Sequence, residues 1–230
     1  MSQPPSRVDS STDLPVTRGW SLADRPVPPD QYRRRIVATV AVVAGAALVG
    51  ATLRLPRGGL GFYIAGYALA AVWVVAAIVL GDVHRPSWSG RRFDVALGIV
   101  AGVVAFGVFV VAAEIGRKIS VLAGPIENLL SKADTGSVIA VLALALINGV
   151  AEELFFRGVL VEAIGGRRAA VLSVVIYVAV TAVAGNTALT LAALVMGVVW
   201  TAERVYTGGR TAPITTHIVW STLMILALPR

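Results

Sequence analysis

The sequence predicts an all-α, polytopic membrane protein, and three observations lead to that prediction. The chain of 230 residues is 57% hydrophobic and only 14% charged, whereas soluble proteins average about a quarter charged residues. Its mean hydropathy is +0.79. Apolar runs of roughly 18 to 22 residues recur along it, each close to the 20 that a helix needs to cross a bilayer. A span must satisfy its backbone internally, and the runs lack the alternation of barrel strands, so helices are predicted.

About seven spans are predicted, and they divide the chain into a scaffold and a polar core. Their bounds are 36–53, 60–80, 95–113, 136–164, 169–185, 187–206 and 211–228. The first three spans (36–113) are rich in Ala, Val and Gly and are interpreted as a packing scaffold. Residues 114–134 space their apolar side chains for a short interfacial helix on the outer side. The notable polar residues fall in the segment 135–230.

The basic residues predict a topology with the N-terminus inside. Residues 1–35 are polar and dotted with proline, which predicts a disordered cytoplasmic tail ending in Arg33, Arg34 and Arg35. Most of the 20 Lys and Arg residues lie on the side of that tail, as the positive-inside rule requires. The net charge of +7 is therefore assigned to membrane topology and not to nucleic acid. Lipids are the expected partners, and the preference for Arg over Lys suggests a bacterial plasma membrane.

Two adjacent glutamates and an arginine interrupt the fourth span. The sequence there is Asn148-Gly-Val-Ala-Glu152-Glu153-Leu-Phe-Phe-Arg157, and charges at bilayer depth usually mark a functional site. On a helix, Asn148 shares a face with Glu152, and Glu153 shares one with Arg157. Glu153 and Arg157 are predicted to form an ion pair, which leaves Glu152 as a candidate general base for water. A purely structural ion pair between helices is equally compatible with the spacing.

This pattern resembles the CPBP family of membrane proteins, which contains the type II CAAX prenyl endopeptidases and the bacteriocin-processing proteins. The family pattern is Glu-Glu-x-x-x-Arg, then Phe-x-x-x-His, then His-x-x-x-Asn or Asp. The first part is complete at Glu152, Glu153 and Arg157. The segment from Ala202 through the Thr-Gly-Gly turn to His217 is also similar to the last segment of the family. The match covers about 136–228.

The resemblance implies hydrolysis of a peptide bond within the bilayer. Glu152 would activate a water molecule, and His217 with the fourth residue after it would form the oxyanion hole. This chain departs from the pattern at two positions. Thr181 follows Tyr177 where the family has histidine, and Ser221 stands where it has asparagine or aspartate. Threonine holds water but cannot accept a proton at neutral pH.

Several alternatives remain open at the level of sequence. The substitutions are also compatible with a catalytically silent member that serves as a membrane scaffold or captures a peptide or lipid. A transporter is a third reading, although no inverted repeat is visible. No cofactor is predicted, and a metal would need Glu152, Glu153 and His217 as ligands. His84 is interpreted as a loop residue, and the partners considered for His217 are Thr215, Thr216 and Asn148.

Overall fold

In the computed structural model, which describes residues 30–56, 58–81, 91–131 and 137–227, all regular secondary structure is helical. The helices are α1 (Gln31–Arg54), α2 (Leu60–Val79), α3 (Arg91–Gly116), α4 (Ser120–Ser131), α5 (Val138–Leu154), α6 (Leu160–Ile164), α7 (Ala169–Ala182), α8 (Thr187–Thr207) and α9 (Thr211–Ala227). A π-helical turn, Phe155–Val159, joins α5 to α6. The prediction of a polytopic helical bundle is confirmed.

Five helical segments are long and apolar enough to cross a membrane. They are Gln31–Thr52, Leu60–Val79, Arg91–Gly116, Val138–Ile164 and Thr187–Thr207. The other two predicted spans are helical but short, because α7 has 14 residues and α9 has 17. At a rise of about 1.5 Å per residue, they extend for about 21 and 25 Å, less than a hydrocarbon core of about 30 Å. Seven crossings therefore remain a prediction.

Helix α1 begins before the boundary predicted for the N-terminal tail. It starts at Gln31, whereas the tail was expected to extend to Arg35. Polar contacts explain the difference. Arg34 binds Asp30 at the helix start, and Arg35 donates to the carbonyl of Ala163 at the end of α6. These contacts compensate for the lack of apolar burial in the first turn.

The core forms where α2 meets the fourth span. Trp73 of α2 is buried and stacks on Phe155, with ring centroids 4.5 Å apart. Phe156 meets the edge of the same indole at 5.0 Å. Buried aromatic pairs prefer such offset and edge-on arrangements and contribute beyond their area. They hold the segment that carries the two glutamates and the arginine against the scaffold.

Two glycines allow α3 to approach α9 closely. A Cβ at Gly98 would lie 2.6 Å from Cβ of Thr215, and one at Gly102 would lie 2.7 Å from Cβ of Val219. Gly98 and Gly102 form a Gly-x-x-x-Gly pair, a spacing that is compatible with facing either lipid or protein. The pair faces α9, in the manner of small residues at membrane-helix interfaces. Helix α3 thus supports α9, which carries His217.

Gly102→Ala is expected to destabilise the bundle by about 1–3 kcal/mol, because the added methyl group would force α3 and α9 apart. Gly107, on the same helix, has open space where a Cβ would stand. Gly107→Ala is therefore the matched control and is expected to cost nothing. The measurement is unfolding in mixed micelles, followed by tryptophan fluorescence. Equal stabilities of the two variants would contradict the observed packing of α3 on α9.

Helix α4 corresponds to the predicted interfacial segment. Pro125 lies inside it, and its carbonyl accepts a hydrogen bond from Nδ2 of Asn186 at 3.0 Å. The Asn186 side chain also caps α8 by accepting from the backbone of Leu189. One amide therefore fixes α4 beside the start of α8. That α4 lies along the membrane surface remains a prediction.

Candidate functional site

The ion pair predicted within the fourth span is present and fully buried. Nη1 of Arg157 lies 3.3 Å from Oε1 of Glu153, and both side chains are 0% exposed. Removing two charges from water is costly unless they are paired and hydrogen-bonded. Arg157 has further partners: Nη2 donates to the carbonyl of Gly197 at 3.2 Å, and the guanidinium lies 4.6 Å from the ring centre of Tyr177. The pair is thus held between α5, α7 and α8.

The π turn at Phe155–Val159 gives this region its shape. The amide of Leu160 bonds to the carbonyl of Phe155, five residues back, and such widened turns occur frequently at functional sites. Side chains of neighbouring helices bind its carbonyls. Oγ of Ser173 donates to Phe156 at 2.5 Å, and Nε of Arg204 donates to Arg157 at 3.0 Å. This turn was not predicted from the sequence, in which Gly158 is its local signal.

His217 joins the buried pair from α9. Its Nδ1 lies 3.1 Å from Oε1 of Glu153, and since a carboxylate only accepts, Nδ1 carries the hydrogen. The imidazole stacks on Trp200, with ring centroids 3.9 Å apart and 13° between the planes. A Cβ at Gly149 would lie 3.0 Å from Cδ2 of His217, so that glycine makes room for the ring. None of Thr215, Thr216 and Asn148 binds the imidazole, so those expected partners were wrong.

Glu152 lies beside this cluster and differs from Glu153 in its surroundings. The Tyr177 hydroxyl donates to Oε2 of Glu152 at 3.2 Å. Glu152 is half-buried, whereas Glu153 is enclosed. The two adjacent carboxylates therefore have different partners: Glu153 is committed to Arg157 and His217, and Glu152 is bound by the Tyr177 hydroxyl.

The other predicted site residues, Asn148, Thr181 and Ser221, each lie in a different environment. Asn148 donates to the carbonyl of Gly66 at 3.2 Å and so ties α5 to α2. The Thr181 hydroxyl donates to the carbonyl of Tyr177 within its own helix, at 3.0 Å. Ser221 is buried and follows His217 by one turn on the same face of α9. The structure therefore brings together Glu152, Glu153, Arg157, Tyr177 and His217.

A second polar contact, which the sequence analysis did not predict, lies next to the first. Oγ1 of Thr216 donates to Oε1 of the buried Glu203 at 2.6 Å. The neighbouring Arg204, on the same helix, donates to the carbonyl of Arg157 in the π turn. A Glu-Arg pair in an otherwise apolar span was the available signal, because such residues rarely face lipid. Apart from its hydrophobicity, no feature of the sequence marks Trp200 as a residue of the site.

The donor set does not fit a metal ion. Among the described residues, no group of three or more His, Asp or Glu side chains is arranged to hold one. The three ligands that a metal would need include Glu153 and His217, which already bind each other through Oε1 and Nδ1. Arg157 would also place a positive charge against the ion. His84 lies outside the described residues.

These features define a polytopic helical membrane protein with a Glu-Glu-Arg-His cluster enclosed by its later helices. Residues 134–223 match the family model described as type II CAAX prenyl endopeptidase Rce1-like. The resemblance to the CPBP family is therefore confirmed for this part of the chain, which contains every residue of the cluster. Comparisons with curated proteins and with solved structures gave no match.

Proposed function

We propose that the protein is a membrane-embedded endopeptidase in which Glu152 activates water. The observation that carries this proposal is the division between the two carboxylates. Glu153 is fully buried and bound by Arg157 and His217, whereas Glu152 is half-buried and held by one hydroxyl. A general base must be able to take a proton from water, and Glu152 is the carboxylate that is not engaged in the ion pair with Arg157.

The proposed step begins with a water molecule against Glu152. Glu152 takes a proton as the water oxygen attacks the carbonyl carbon of the substrate. The same proton passes to the amine nitrogen as the carbon–nitrogen bond breaks. Tyr177 orients the carboxylate during both transfers by donating to Oε2.

His217 is assigned the role of stabilising the negative charge that develops on the carbonyl oxygen of the substrate. Its Nδ1 is held by Glu153, and its plane is held by Trp200, so the ring has a fixed orientation. This role requires a hydrogen on Nε2 as well as on Nδ1, because only an N–H group donates to an oxyanion. The hydroxyl of Ser221, one turn further along α9, is the second donor in this assignment. A donor with a fixed orientation stabilises the oxyanion more than a mobile donor does, because it does not have to reorient during the reaction.

We further propose that the N-terminus lies in the cytoplasm of a bacterial cell. The ends of α1 and α6 meet through Arg35 and Gln31, so both lie at one end of the bundle. The arginines near these ends support an inner location under the positive-inside rule. A peptide would then reach Glu152 from the inner half of the membrane.

The test is cleavage by the purified full chain in lipid vesicles, with apolar peptides flanked by polar ends as substrates. Products are identified by mass spectrometry, and H₂¹⁸O supplies the reacting water. Hydrolysis is expected to place ¹⁸O in the new carboxyl group. The complete absence of products from a broad peptide set would contradict the proposal.

Tyr177→Phe is expected to lower the cleavage rate about tenfold, because it removes the hydroxyl that orients Glu152 and keeps the ring beneath Arg157. The effect should fall on kcat more than on KM, since a positioning group acts after binding. Tyr206→Phe is the matched control, because Tyr206 is 70% exposed and lies outside the cluster. Equal rates for the two variants would show that the Tyr177 hydroxyl is only structural.

A further inference from the structure

Two segments about 130 residues apart meet at one end of the bundle. Nε of Arg35 donates to the carbonyl of Ala163, and Nη2 donates to that of Ile164, both at 3.2 Å. Nε2 of Gln31 reaches the carbonyl of Ile164 at 3.4 Å. The last carbonyls of a helix have no partner within it, so the first turn of α1 satisfies the end of α6. The contact brings the start of α1 beside the turn that leads from α6 into α7.

This contact collects arginines from both segments. Arg34 is neutralised by its own neighbours, since it lies 3.1 Å from Asp30 and 3.9 Å from Glu162. The hydrogen bond from Arg34 also holds the pKa of Asp30 below its ordinary value, which keeps that carboxylate charged. The other arginines in the two segments are exposed and are here called the arginine cluster: Arg33, Arg35, Arg167 and Arg168.

The arginine cluster carries more positive charge than the acidic residues beside it neutralise, although Arg33 acts at a distance on Asp30. Arg33, Arg167 and Arg168 make no hydrogen bond or ion pair with the part of the chain that the structure describes. Arg35 binds only backbone carbonyls there. The guanidinium groups of Arg33, Arg167 and Arg168, at this end of the bundle, therefore remain available to a negatively charged ligand.

Exposed apolar side chains continue from the arginine cluster along both helices. Ile36 and Val40 follow it on α1, and Val171 and Val175 follow it on α7. In a membrane such side chains contact acyl chains. The arginines then lie at the level of the lipid headgroups, where basic residues attract anionic lipids.

We propose that the arginine cluster binds the phosphate of an anionic phospholipid headgroup. Guanidinium groups bind phosphate oxygens through paired N–H donors, and two segments supply them from different directions. The net positive charge favours a headgroup with net negative charge over a zwitterionic one. The acyl chains of the same lipid lie along the exposed apolar side chains of α1 and α7. This binding is independent of the peptidase activity.

The experiment measures lipid binding by the full chain in a neutral detergent, using native mass spectrometry. The probes are phosphatidylglycerol, phosphatidylcholine with the same acyl chains, and free glycerol phosphate. Phosphatidylglycerol is expected to bind about tenfold or more tightly than phosphatidylcholine. The double variant Arg167→Gln, Arg168→Gln is expected to lose about thirtyfold in affinity for phosphatidylglycerol. Both residues are exposed, so the fold should be retained, which circular dichroism checks.

The matched control removes two exposed basic residues elsewhere, Arg54 at the end of α1 and Lys118 in the turn between α3 and α4, through Arg54→Gln with Lys118→Gln. This variant has the same net charge as the first and is expected to keep its affinity within threefold. Equal losses in the two variants would overturn the proposal, because they would reflect total charge alone. Equal binding of the two phospholipids would also overturn it. Displacement of the lipid by millimolar glycerol phosphate would identify a site for a soluble anion instead.

Discussion

Replacing Glu152 by glutamine is expected to lower the rate of peptide cleavage by about 10²–10⁴-fold, the usual contribution of a general base. Glutamine keeps the shape of the side chain and can still accept a hydrogen bond from Tyr177, which Glu152 accepts through Oε2. It cannot take a proton from water. The loss should therefore appear in kcat, while the amount of folded protein stays unchanged. The measurement is the initial rate of product formation in vesicles of fixed protein content.

Glu127→Gln provides the control for this substitution. Glu127 is an exposed carboxylate on α4, so its replacement changes the net charge equally without touching the cluster. Its rate is expected to match that of the natural protein. If Glu152→Gln keeps more than a tenth of the natural rate, another group activates the water. A catalytically silent protein would show no cleavage in any of the three forms.

Replacing Glu153 by leucine is expected to reduce the free energy of unfolding by about 3–5 kcal/mol. The substitution leaves Arg157 buried without its counter-ion, and an uncompensated buried charge is strongly destabilising. It also removes the carboxylate that holds Nδ1 of His217. The measurement is unfolding in mixed micelles of a nonionic detergent and dodecyl sulfate, followed by tryptophan fluorescence.

A double variant separates the cost of the lone charge from that of lost packing. Glu153→Leu combined with Arg157→Met replaces the pair with apolar side chains of similar size, and such replacements are often close to neutral. Most of the lost stability should return, although cleavage should not. For comparison, Arg117→Ala removes an exposed ion pair with Glu114 and is expected to cost less than about 1 kcal/mol. A cost of under 1 kcal/mol for Glu153→Leu alone would contradict the buried pair.

Local spacing was sufficient to predict the helices and one ion pair. Five of the predicted spans are confirmed by length and composition, because a membrane requires long apolar helices whatever their neighbours. The pair of Glu153 and Arg157 also followed from sequence, since residues four apart share a helix face. The π turn that begins at Phe155 did not follow. Its carbonyls are held by side chains of α7 and α8, which no local pattern reveals.

The sequence by itself determined that two glutamates and an arginine enter an apolar helix and that His217 follows on a later one. Only the tertiary structure decided that His217 binds Glu153 and stacks on Trp200, while Glu152 meets Tyr177. The physical reason is that membrane helices are apolar on nearly every side. Their hydrophobicity therefore fixes their approximate positions along the chain but not how they rotate. That rotation is set by buried polar contacts between helices, and it gives the two adjacent glutamates different partners.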